Sequence, residues 1–398
     1  MSVSNDERMT AVKFLHISDL HLGRQLHRFS LQEEQDEVLE HIRQTAAREK
    51  PDAVLIAGDV YDRSIPPVYA TQALDRFLSG LLATGTTVCM ISGNHDSAER
   101  LGFLSGPLRQ SRLHISPAYR GVVEPVTLCD QDGPVDIWLL PFLRPAAVRP
   151  YFPDNEIAET NDAVACAIRR MPIDASRRNV LVAHQFVSGA SLIGSEDSIV
   201  LTAAQDVSVG GTDLVDVRLF SAFDYVALGH LHLAQNVGSE RVRYCGTPLK
   251  YSFSELHSGK SVTIAELDGS RNLGIRTLPL PEPRRMQELR GSFHDLTTDD
   301  AVSQTDRDAY THIILTDDQP IPDVMNRLRQ YYPNITHLDW DNTRTRHMDD
   351  FSVVSDDVKR SPQSLFSEFF ERTNGAAMTD EQARYMDDLI RSIWEENA

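Results

Sequence analysis

The stretch VKFLHISDLHLG, residues 12–23, decides the class of fold. Its first seven residues are mostly apolar or β-branched, which predicts a buried strand, and the polar SDLHLG that follows predicts a loop at the end of that strand. Asp19 and His21 are two residues apart, so an extended backbone directs both side chains the same way. The stretch therefore predicts a strand whose carboxyl end presents two side chains able to bind a metal ion.

Four further stretches repeat this arrangement at the ends of apolar β-type runs: GDVYD (58–62), GNHD (93–96), VAHQ (182–185) and GHLH (229–232). Between them lie amphipathic stretches that predict helices at 31–48 and 67–83. Strands are predicted at 12–18, 53–57, 86–92, 136–141, 179–184, 224–230, 241–246 and 261–267. This rhythm predicts an α/β domain, in which the carboxyl ends of the strands meet on one face. The Ser-, Gly- and Asp-rich segment 185–223 is predicted to be a long loop on that face.

Seven side chains at these strand ends are candidate metal ligands: Asp19, His21, Asp59, Asn94, His184, His230 and His232. Imidazole, carboxylate and amide donors suit Mn²⁺, Fe²⁺ or Zn²⁺. Seven ligands are too many for one tetrahedral ion, but if one carboxylate bridges, two metal ions fit. Taken singly, a strand histidine is more often a hydrogen-bonded packing residue and a Gly-Asp pair is ordinary turn chemistry. The metal interpretation depends on all five stretches occurring in series.

The remainder of the chain predicts two smaller parts after the linker PLPEPRR at 279–285. A βαβ-like unit contains THIILT (311–316), a helix that begins after Pro322 and runs through Tyr331, and ITHLDW (335–340). Two helices follow at 362–374 and 379–395, separated near Gly375. The first places Leu365, Phe366, Phe369 and Phe370 on one face, which either packs in a core or docks a partner helix. The predicted domains are therefore 12–280, 285–350 and 361–396.

Composition excludes several classes of protein. The chain has 398 residues, too many for a single small module, and 39 basic against 58 acidic residues give a net charge of −19. That charge argues against a bare surface for binding polyanions. Neither a membrane-spanning stretch nor an apolar export segment is present, so a cytoplasmic location is expected. The four cysteines are far apart and are predicted to be reduced packing residues: Cys89, Cys129, Cys166 and Cys245.

The ordered pattern D-x-H, G-D, G-N-H-D, H and G-H-x-H resembles the calcineurin-like metallophosphoesterase superfamily. IAGDVYD, ISGNHDS, PFLRP, DYVALGHLH and RYCGTPLKYSFSE are similar to its bacterial branch of DNA-repair nucleases, over about residues 12–280. The resemblance implies a metallophosphoesterase β-sandwich flanked by helices, a smaller α+β capping domain and a C-terminal helical hairpin.

The resemblance also implies roles for single residues. Asp19, His21, Asp59 and His232 would hold one Mn²⁺, and Asp59, Asn94, His184 and His230 the other, with Asp59 as the bridge; Mg²⁺ or another divalent ion is an alternative. His95 would protonate the leaving oxygen, and Asp62 would orient the His95 ring. The implied reaction is attack of a metal-bridging hydroxide on a DNA phosphodiester.

The implied activity is exonuclease action on double-stranded ends and endonuclease action on single-stranded or hairpin DNA, in DNA repair, recombination and replication. The implied assembly is a homodimer within a heterotetramer with an SMC-like ATPase, gripped by the tail at 361–396, and no membrane is involved. ATP hydrolysis would belong to that partner, because this chain has no Walker A motif. The net charge of −19 is compatible with DNA work if the ATPase supplies much of the DNA-binding surface.

Two alternatives remain open at this point. A phosphatase or a non-DNA phosphodiesterase of the same superfamily is possible because GDVYDR is similar to a phosphatase string, although GNHD and YCGTPLKYSFSE favour the nuclease. A metal-free scaffold on the same fold is disfavoured, because all seven candidate ligands and His95 are present.

Overall fold

The computed structural model describes residues 11–188, 214–342, 362–374 and 377–395. The chain divides into two compact units, Met1–Pro283 and Arg284–Ala398. The division falls inside the PLPEPRR segment. Within the described residues, no helix is long and apolar enough to cross a membrane.

The strands of the first unit are β1 Val12–Ile17, β2 Gln25–Leu26, β3 Phe29–Ser30, β4 Ala53–Ala57, β5 Thr87–Ile91, β6 Leu113–Ile115, β7 Pro125–Asp130, β8 Gly133–Leu140, β9 Arg178–His184, β10 Phe186–Ser188, β11 Leu214–Asp216, β12 Tyr225–Gly229, β13 Gln235–Val237, β14 Ser239–Tyr244, β15 Ser261–Leu267 and β16 Leu273–Pro279. Its α-helices are α1 Gln32–Glu49, α2 Val68–Ala83, α3 Ala98–Leu101, α4 Ser105–Leu108, α5 Pro145–Val148 and α6 Thr160–Arg169. Short 3-10 turns occupy Arg109–Ser111, Arg149–Tyr151, Val217–Phe220 and Phe253–Glu255.

Two six-stranded sheets form the body of this unit, with strand orders β16-β15-β1-β4-β5-β6 and β13-β14-β12-β9-β8-β7. Every residue of β4, β5, β9 and β12 is buried, as expected for strands covered on both faces. One core cluster joins the two sheets, with Phe14 and Leu55 from the first and Val180 from the second among its members. Burying each such side chain contributes about 1.5 to 3 kcal/mol. The sandwich is therefore held by a continuous apolar layer.

Helices cover the sheets because their apolar residues recur at helical spacing. In α1, Val38, Leu39, Ile42 and Ala46 are buried. The helix ends at Glu49, and the next residue, Lys50, has a left-handed backbone and donates its N–H to the Ala46 carbonyl. The helix α1 packs on α2, and α2 packs on β5. On the second sheet, α6 contributes to a separate core cluster. Two apolar core clusters thus support the sheet ends that carry the candidate ligands.

The strands β1, β4 and β5 run parallel to one another, as do β8, β9, β12 and β14. Asp19, Asp59 and Asn94 lie just beyond the carboxyl ends of the first set. His184 is the last residue of β9, and His230 follows β12 directly. Parallel pairing therefore brings five stretches that are far apart in sequence to one side of the sandwich.

The prediction of a loop at 185–223 is wrong at both ends. The three-residue strands β10 and β11 pair in parallel there, and Val187 and Val215 belong to the core cluster of the second sheet. Strands this short form only through tertiary packing, so the local sequence pattern does not reveal them. Residues 189–213 lie outside the described residues.

The prediction that all four cysteines are packing residues is wrong for Cys129, which is exposed, while Cys89, Cys166 and Cys245 are buried. Cys129 lies on the edge strand β7, whose alternate residues Val126 and Leu128 pack against the core. Because side chains of a strand alternate between its two faces, Cys129 faces outward. All four are free cysteines.

The second unit contains the strands β17 Met286–Gly291, β18 Tyr310–Leu315 and β19 Ile335–Trp340, and the helices α7 Phe293–Leu296, α8 Asp299–Ser303, α9 Val324–Arg329, α10 Pro362–Asn374 and α11 Asp380–Glu395. The strands form a parallel sheet in the order β17-β18-β19. Its apolar face, with Ile313, Leu315 and Leu338, packs on residues of the short helices, including Leu296 and Leu328. Parallel strands joined by helical crossovers agree with the βαβ-like pattern of the sequence.

Candidate metal centre

The two loops that hold Asp19 and Asp59 are joined through their backbones. Asp19 N–H donates to the Gly58 carbonyl at 3.0 Å, and His21 N–H donates to the Asp59 carbonyl at 2.9 Å. Asp96 extends this connection to the next loop, because its carboxylate accepts from the N–H groups of Val60, Tyr61 and Gly93 at 3.0, 2.9 and 2.9 Å. Sequence reasoning gave Asp96 no role. Here it holds the Asp59 loop against the loop that carries Asn94.

Four of the seven predicted ligands have a left-handed backbone conformation. The φ angles are 52° at Asp19, 43° at His21, 46° at Asp59 and 107° at His230. A non-glycine residue in this region is uncommon, and such conformations cost about 1 to 3 kcal/mol each. They persist because the surrounding hydrogen bonds and packing fix them. Of the ten described non-glycine residues with positive φ, four belong to this one cluster, and strain at such a cluster is typical of a functional site.

Two glycines leave the space that the cluster needs. A Cβ at Gly93 would lie 2.1 Å from Asp59 Oδ1, and a Cβ at Gly229 would lie 1.9 Å from the Ala57 carbonyl oxygen. Both distances are far below any contact between real atoms. Only glycine therefore lets the strands approach this closely at the G-N-H-D and G-H-L-H stretches.

The first group of predicted ligands is Asp19, His21, Asp59 and His232. One ligand atom from each of Asp19, His21 and His232 lies within 4.8 Å of the others, and His21 Nε2 is 3.8 Å from Asp59 Oδ2. His21 is fully buried, and neither ring nitrogen has a hydrogen-bond partner in the described structure. Burying such unpaired polar atoms costs free energy. A metal ion bound at His21 would satisfy one of them, so this group fits a metal.

The second group is Asp59, Asn94, His184 and His230. His184 Nε2 is 3.4 Å from Asp59 Oδ2 and 3.0 Å from Asn94 Oδ1, and His230 Nδ1 is 3.0 Å from the same amide oxygen. His184 Nδ1 donates to the Ala57 carbonyl at 2.8 Å, which leaves Nε2 as the ligating atom of the neutral ring. Asp59 is close to both groups. The donor set is therefore suited to two ions that share one carboxylate.

The pKa values show how strongly these groups interact with one another. Burial opposes ionisation of Asp59, but His184 and the other nearby imidazoles hold the pKa of Asp59 below its usual range. Burial also opposes protonation of His184, yet the carboxylates of Asp59 and Asp19 raise the pKa of His184 to about 9. Burial lowers the pKa of His21 well below its usual value. A proton on His184 thus balances the negative charge of the buried Asp59 carboxylate. A bound cation would balance that charge in its place.

His232 is held by a buried group that the sequence interpretation missed. Its Nδ1 is 3.2 Å from Glu255 Oε1, and the second oxygen of Glu255 pairs with Lys260 and accepts from Thr247 at 3.1 Å. Lys260 also donates to the His232 carbonyl at 3.1 Å. A carboxylate bonded to the far nitrogen of a ligating histidine fixes its ring and increases its basicity. Glu255 is the last residue of RYCGTPLKYSFSE, a stretch already noted for its family resemblance, and that resemblance could have pointed to Glu255.

The structure brings His95 and Asp62 together through the main chain of Asp62. His95 Nδ1 lies 3.0 Å from the backbone carbonyl of Asp62, whereas the Asp62 carboxylate pairs with Arg24 at 3.0 Å. The backbone N–H of His95 donates to Asp59 Oδ1 at 2.9 Å, and the ring Nε2 of His95 is 4.0 Å from Asp59 Oδ2. The His95 side chain is 21% exposed, in contrast to the buried rings of His21 and His184. The main-chain carbonyl of residue 62 therefore contacts the His95 ring.

Comparison with known proteins adds independent information. The family model described as calcineurin-like phosphoesterase matches residues 12–234, and the model described as type 5 capsule protein repressor C-terminal domain matches residues 282–374. The chain is 29% identical over 385 residues to the D subunit of the nuclease SbcCD from Staphylococcus epidermidis, covering 96% of this chain and 99% of the relative. It is 30% identical over 393 residues to the same protein of Staphylococcus saprophyticus, covering 97% and 100%.

Among solved structures, a dimetal phosphatase from Danio rerio is 13% identical, with a TM-score of 0.38 over 68% of this chain and 98% of that chain. The phosphoesterase model covers more than half of the chain and includes all seven predicted ligands. The second Staphylococcus relative matches over nearly the full length of both proteins. The chain therefore belongs to the calcineurin-like phosphoesterase family, in the group of the SbcCD nuclease D subunits, and is a metal-dependent phosphodiesterase.

Proposed function

We propose that this chain is the nuclease subunit of an SbcCD-type complex, with exonuclease activity on double-stranded DNA ends and endonuclease activity on single-stranded or hairpin DNA. The observation that supports it most is the buried cluster of imidazole, carboxylate and amide donors around Asp59, found in a chain similar over almost its full length to nuclease D subunits. Its roles would be in DNA repair, recombination and replication.

Two Mn²⁺ ions per chain are the proposed cofactors, with Mg²⁺ or another divalent ion as the alternative. Asp19, His21, Asp59 and His232 would hold one ion, and Asp59, Asn94, His184 and His230 would hold the other. When bound, such ions supply Lewis acidity, which lowers the pKa of water and neutralises charge on phosphoryl oxygens. Glu255 and the Ala57 carbonyl orient His232 and His184 for this task.

His95 is the proposed general acid. Its Nδ1 donates to the Asp62 carbonyl, which fixes the ring, and Nε2 would be the atom that exchanges a proton. Its partial exposure gives a substrate oxygen access that the buried rings of His21 and His184 lack. In this proposal Asp62 positions His95 through its main chain, and His95 delivers a proton to the departing sugar oxygen.

The proposed assembly is a homodimer within a heterotetramer that contains an SbcC-like ATPase. Large apolar side chains are exposed just after two of the metal-centre loops: Ile65 and Val68 follow GDVYD, and Phe103 and Leu104 follow GNHD. Exposed apolar groups of this size favour a protein interface, and a second copy of the chain offers the same groups by symmetry. A partner that supplies basic surface would offset the net charge of −19 for DNA binding.

The test is one assay in Mn²⁺ that compares single-stranded plasmid DNA, a hairpin duplex, a linear duplex and a phosphomonoester. Cleavage of the DNA substrates is expected, and turnover of the monoester alone would replace the proposal by a phosphatase. Asp59→Asn should abolish cleavage and reduce bound metal, because Asp59 faces both groups of ligands. The matched control is Asp154→Asn, which makes the same charge change at an exposed position and should leave both unchanged.

A further inference from the structure

The three-stranded sheet of the second unit carries a cluster of histidines and carboxylates on the face opposite its apolar core. We call Glu288, His312, His337 and Asp339 the His312 cluster. Glu288 lies on β17, His312 on β18, and the other two on β19. None of the four belongs to the apolar cluster formed by the other face of the same strands. The cluster therefore has no part in the core of this unit.

An irregularity in strand pairing places the two histidines side by side. Glu288 pairs with His312, and the register between β18 and β19 shifts after Thr311, so that His312 pairs with His337 instead of Thr336. The displaced Thr336 hydroxyl donates to the Thr311 carbonyl at 3.2 Å. An extra residue of this kind changes the direction of the side chains that follow it. It brings His337 and Asp339 onto the face that carries His312.

The distances in the cluster suit a small divalent cation. His312 Nε2 is 2.9 Å from Asp339 Oδ2, His337 Nε2 is 3.0 Å from Asp339 Oδ1, and one ligand atom from each of the three residues lies within 4.8 Å of the others. A tetrahedral zinc ion with bonds of about 2.0 to 2.2 Å holds its ligand atoms roughly 3.3 Å apart.

Glu288 supplies the supporting contact that metal-bound histidines usually have. Its Oε2 lies 3.1 Å from His312 Nδ1, and in a neutral ring with its proton on Nδ1, Nε2 faces the Asp339 carboxylate as an acceptor. Two acceptors 2.9 Å apart need a cation between them, which is either a proton or a metal ion. The two carboxylates together carry the charge that one divalent ion neutralises.

We propose that the His312 cluster is a zinc site, with His312 Nε2, His337 Nε2 and the Asp339 carboxylate as ligands and water in the remaining position. Two histidines and one carboxylate are a common zinc ligand set, and no thiolate is required. The side chains of His337 and Asp339 are 47% and 52% exposed, which gives an ion access from solvent. A bound ion would join β18 to β19 and, through Glu288, stabilise all three strands.

The test measures zinc bound per full-length chain after equilibration with Zn²⁺ alone and removal of excess ion. Zinc in the nuclease centre is common to every variant, so the difference between variants reports the His312 cluster. His337→Ala and Asp339→Asn should each bind one Zn²⁺ fewer than the wild type. His294→Ala, which removes an exposed histidine of α7 outside the cluster, should match the wild type.

Glu288→Ala keeps all three ligands, and we expect its affinity for the additional zinc to fall about 10- to 100-fold. Thermal unfolding with and without Zn²⁺ provides a second measurement, because the zinc-dependent rise in midpoint should be smaller in Asp339→Asn than in His294→Ala. Equal zinc content and equal midpoint shifts in all variants would show that protons alone occupy the cluster. Cleavage of DNA in Mn²⁺ should be the same in every variant, so failure of this proposal is distinguishable from failure of the proposed nuclease function.

Discussion

His95 differs from His21 and His184 in combining a main-chain contact with partial exposure of its ring. Its Nδ1 faces a main-chain carbonyl and its side chain is partly exposed, although one of its nitrogens lies within 4.8 Å of ligand atoms of His21 and Asp59. We expect His95→Asn to retain two metals per chain and to lower the cleavage rate about 10²- to 10⁴-fold, the usual contribution of a general acid. Metal analysis beside single-turnover kinetics checks this. Loss of one metal in the variant would show that His95 is a ligand instead.

His16, which lies on β1 three residues before Asp19, gives a prediction about pH. Its Nε2 donates to the Leu228 carbonyl at 3.2 Å and its Nδ1 accepts from the Tyr225 hydroxyl at 2.8 Å, so the native ring is neutral. Burial, helped by Arg243, lowers the pKa of His16 to about 3. Between that pH and the ordinary value of about 6.5, the unfolded chain binds one more proton at this residue than the native chain does. The free energy of unfolding should therefore fall as pH falls through this range, by about 1.4 kcal/mol per pH unit from His16 alone.

Urea unfolding of the metal-free protein at several pH values between about 4 and 6 measures this slope. His16→Gln keeps a donor and an acceptor but cannot titrate, so its slope should be shallower by the same amount. A slope equal to that of the wild type would mean that His16 does not contribute.

At the scale of elements, the structure divides the apolar stripe of the tail into two sets. Phe366 and Phe370 line a groove of about 470 Å³ between α10 and α11, together with Met378, Tyr385 and Met386. Phe369 is 54% exposed and Tyr385, at the rim of the groove, is 70% exposed. The side chain of Leu365 lies outside the described residues. We therefore expect different tasks for the phenylalanines that the sequence placed on one face: Phe366 and Phe370, which line the groove, would hold the two helices together. Phe369, with Tyr385 of the second helix, would offer exposed rings to the proposed partner.

This division predicts the effect of two double variants on binding to an SbcC-like ATPase, the partner that the family resemblance implies for the tail at 361–396. Phe369→Ser with Tyr385→Ser should weaken co-purification with SbcC while the helical circular dichroism signal is unchanged, because exposed aromatic residues usually dominate interfaces. Phe366→Ser with Phe370→Ser should weaken it too, but with loss of helical signal. Unaltered SbcC binding by the first variant, with single-stranded DNA cleavage intact, would contradict the proposed docking surface.

Buried strands were predictable from sequence because strands covered on both faces consist of consecutive apolar residues. The strand predicted at 53–57 has those bounds in the structure, and the helix predicted at 31–48 is found at Gln32–Glu49. The edge strands β7 and β16 were not predicted, since neither is a continuous apolar run: two of the six residues of β7 and four of the seven of β16 are exposed. The sequence also indicated which residues converge, but Asp96 and Glu255 acquire their roles only from tertiary contacts. No local pattern reports a contact with a residue 36 or 23 positions away.

For the whole molecule, the location of the centre predicts how metal affects stability. The candidate ligands come from the ends of buried strands in both sheets and from the loops that follow them, so an ion bound there resists separation of the two sheets. Binding to the native state alone stabilises it by about 2.7 kcal/mol when free metal is about 100 times the dissociation constant. Calorimetry should show that Mn²⁺ raises the unfolding temperature and that a chelator lowers it. Asp59→Asn should reduce the difference in unfolding temperature between the two conditions, and Asp154→Asn should leave it unchanged. Equal unfolding temperatures with and without Mn²⁺ in the wild type would contradict the prediction that metal stabilises the fold.

The left-handed backbone at Asp19, His21, Asp59 and His230 has a consequence for how such a chain changes over generations. Glycine adopts this conformation without the steric penalty of about 1 to 2 kcal/mol that other residues meet. A lineage that kept the fold only as a binding scaffold would gain stability by drifting to glycine at these positions, and a laboratory selection for heat resistance alone would do the same. This chain retains a carboxylate or an imidazole at all four. The strained positions are therefore the first place to look when a relative of this protein is suspected of having lost its catalytic activity.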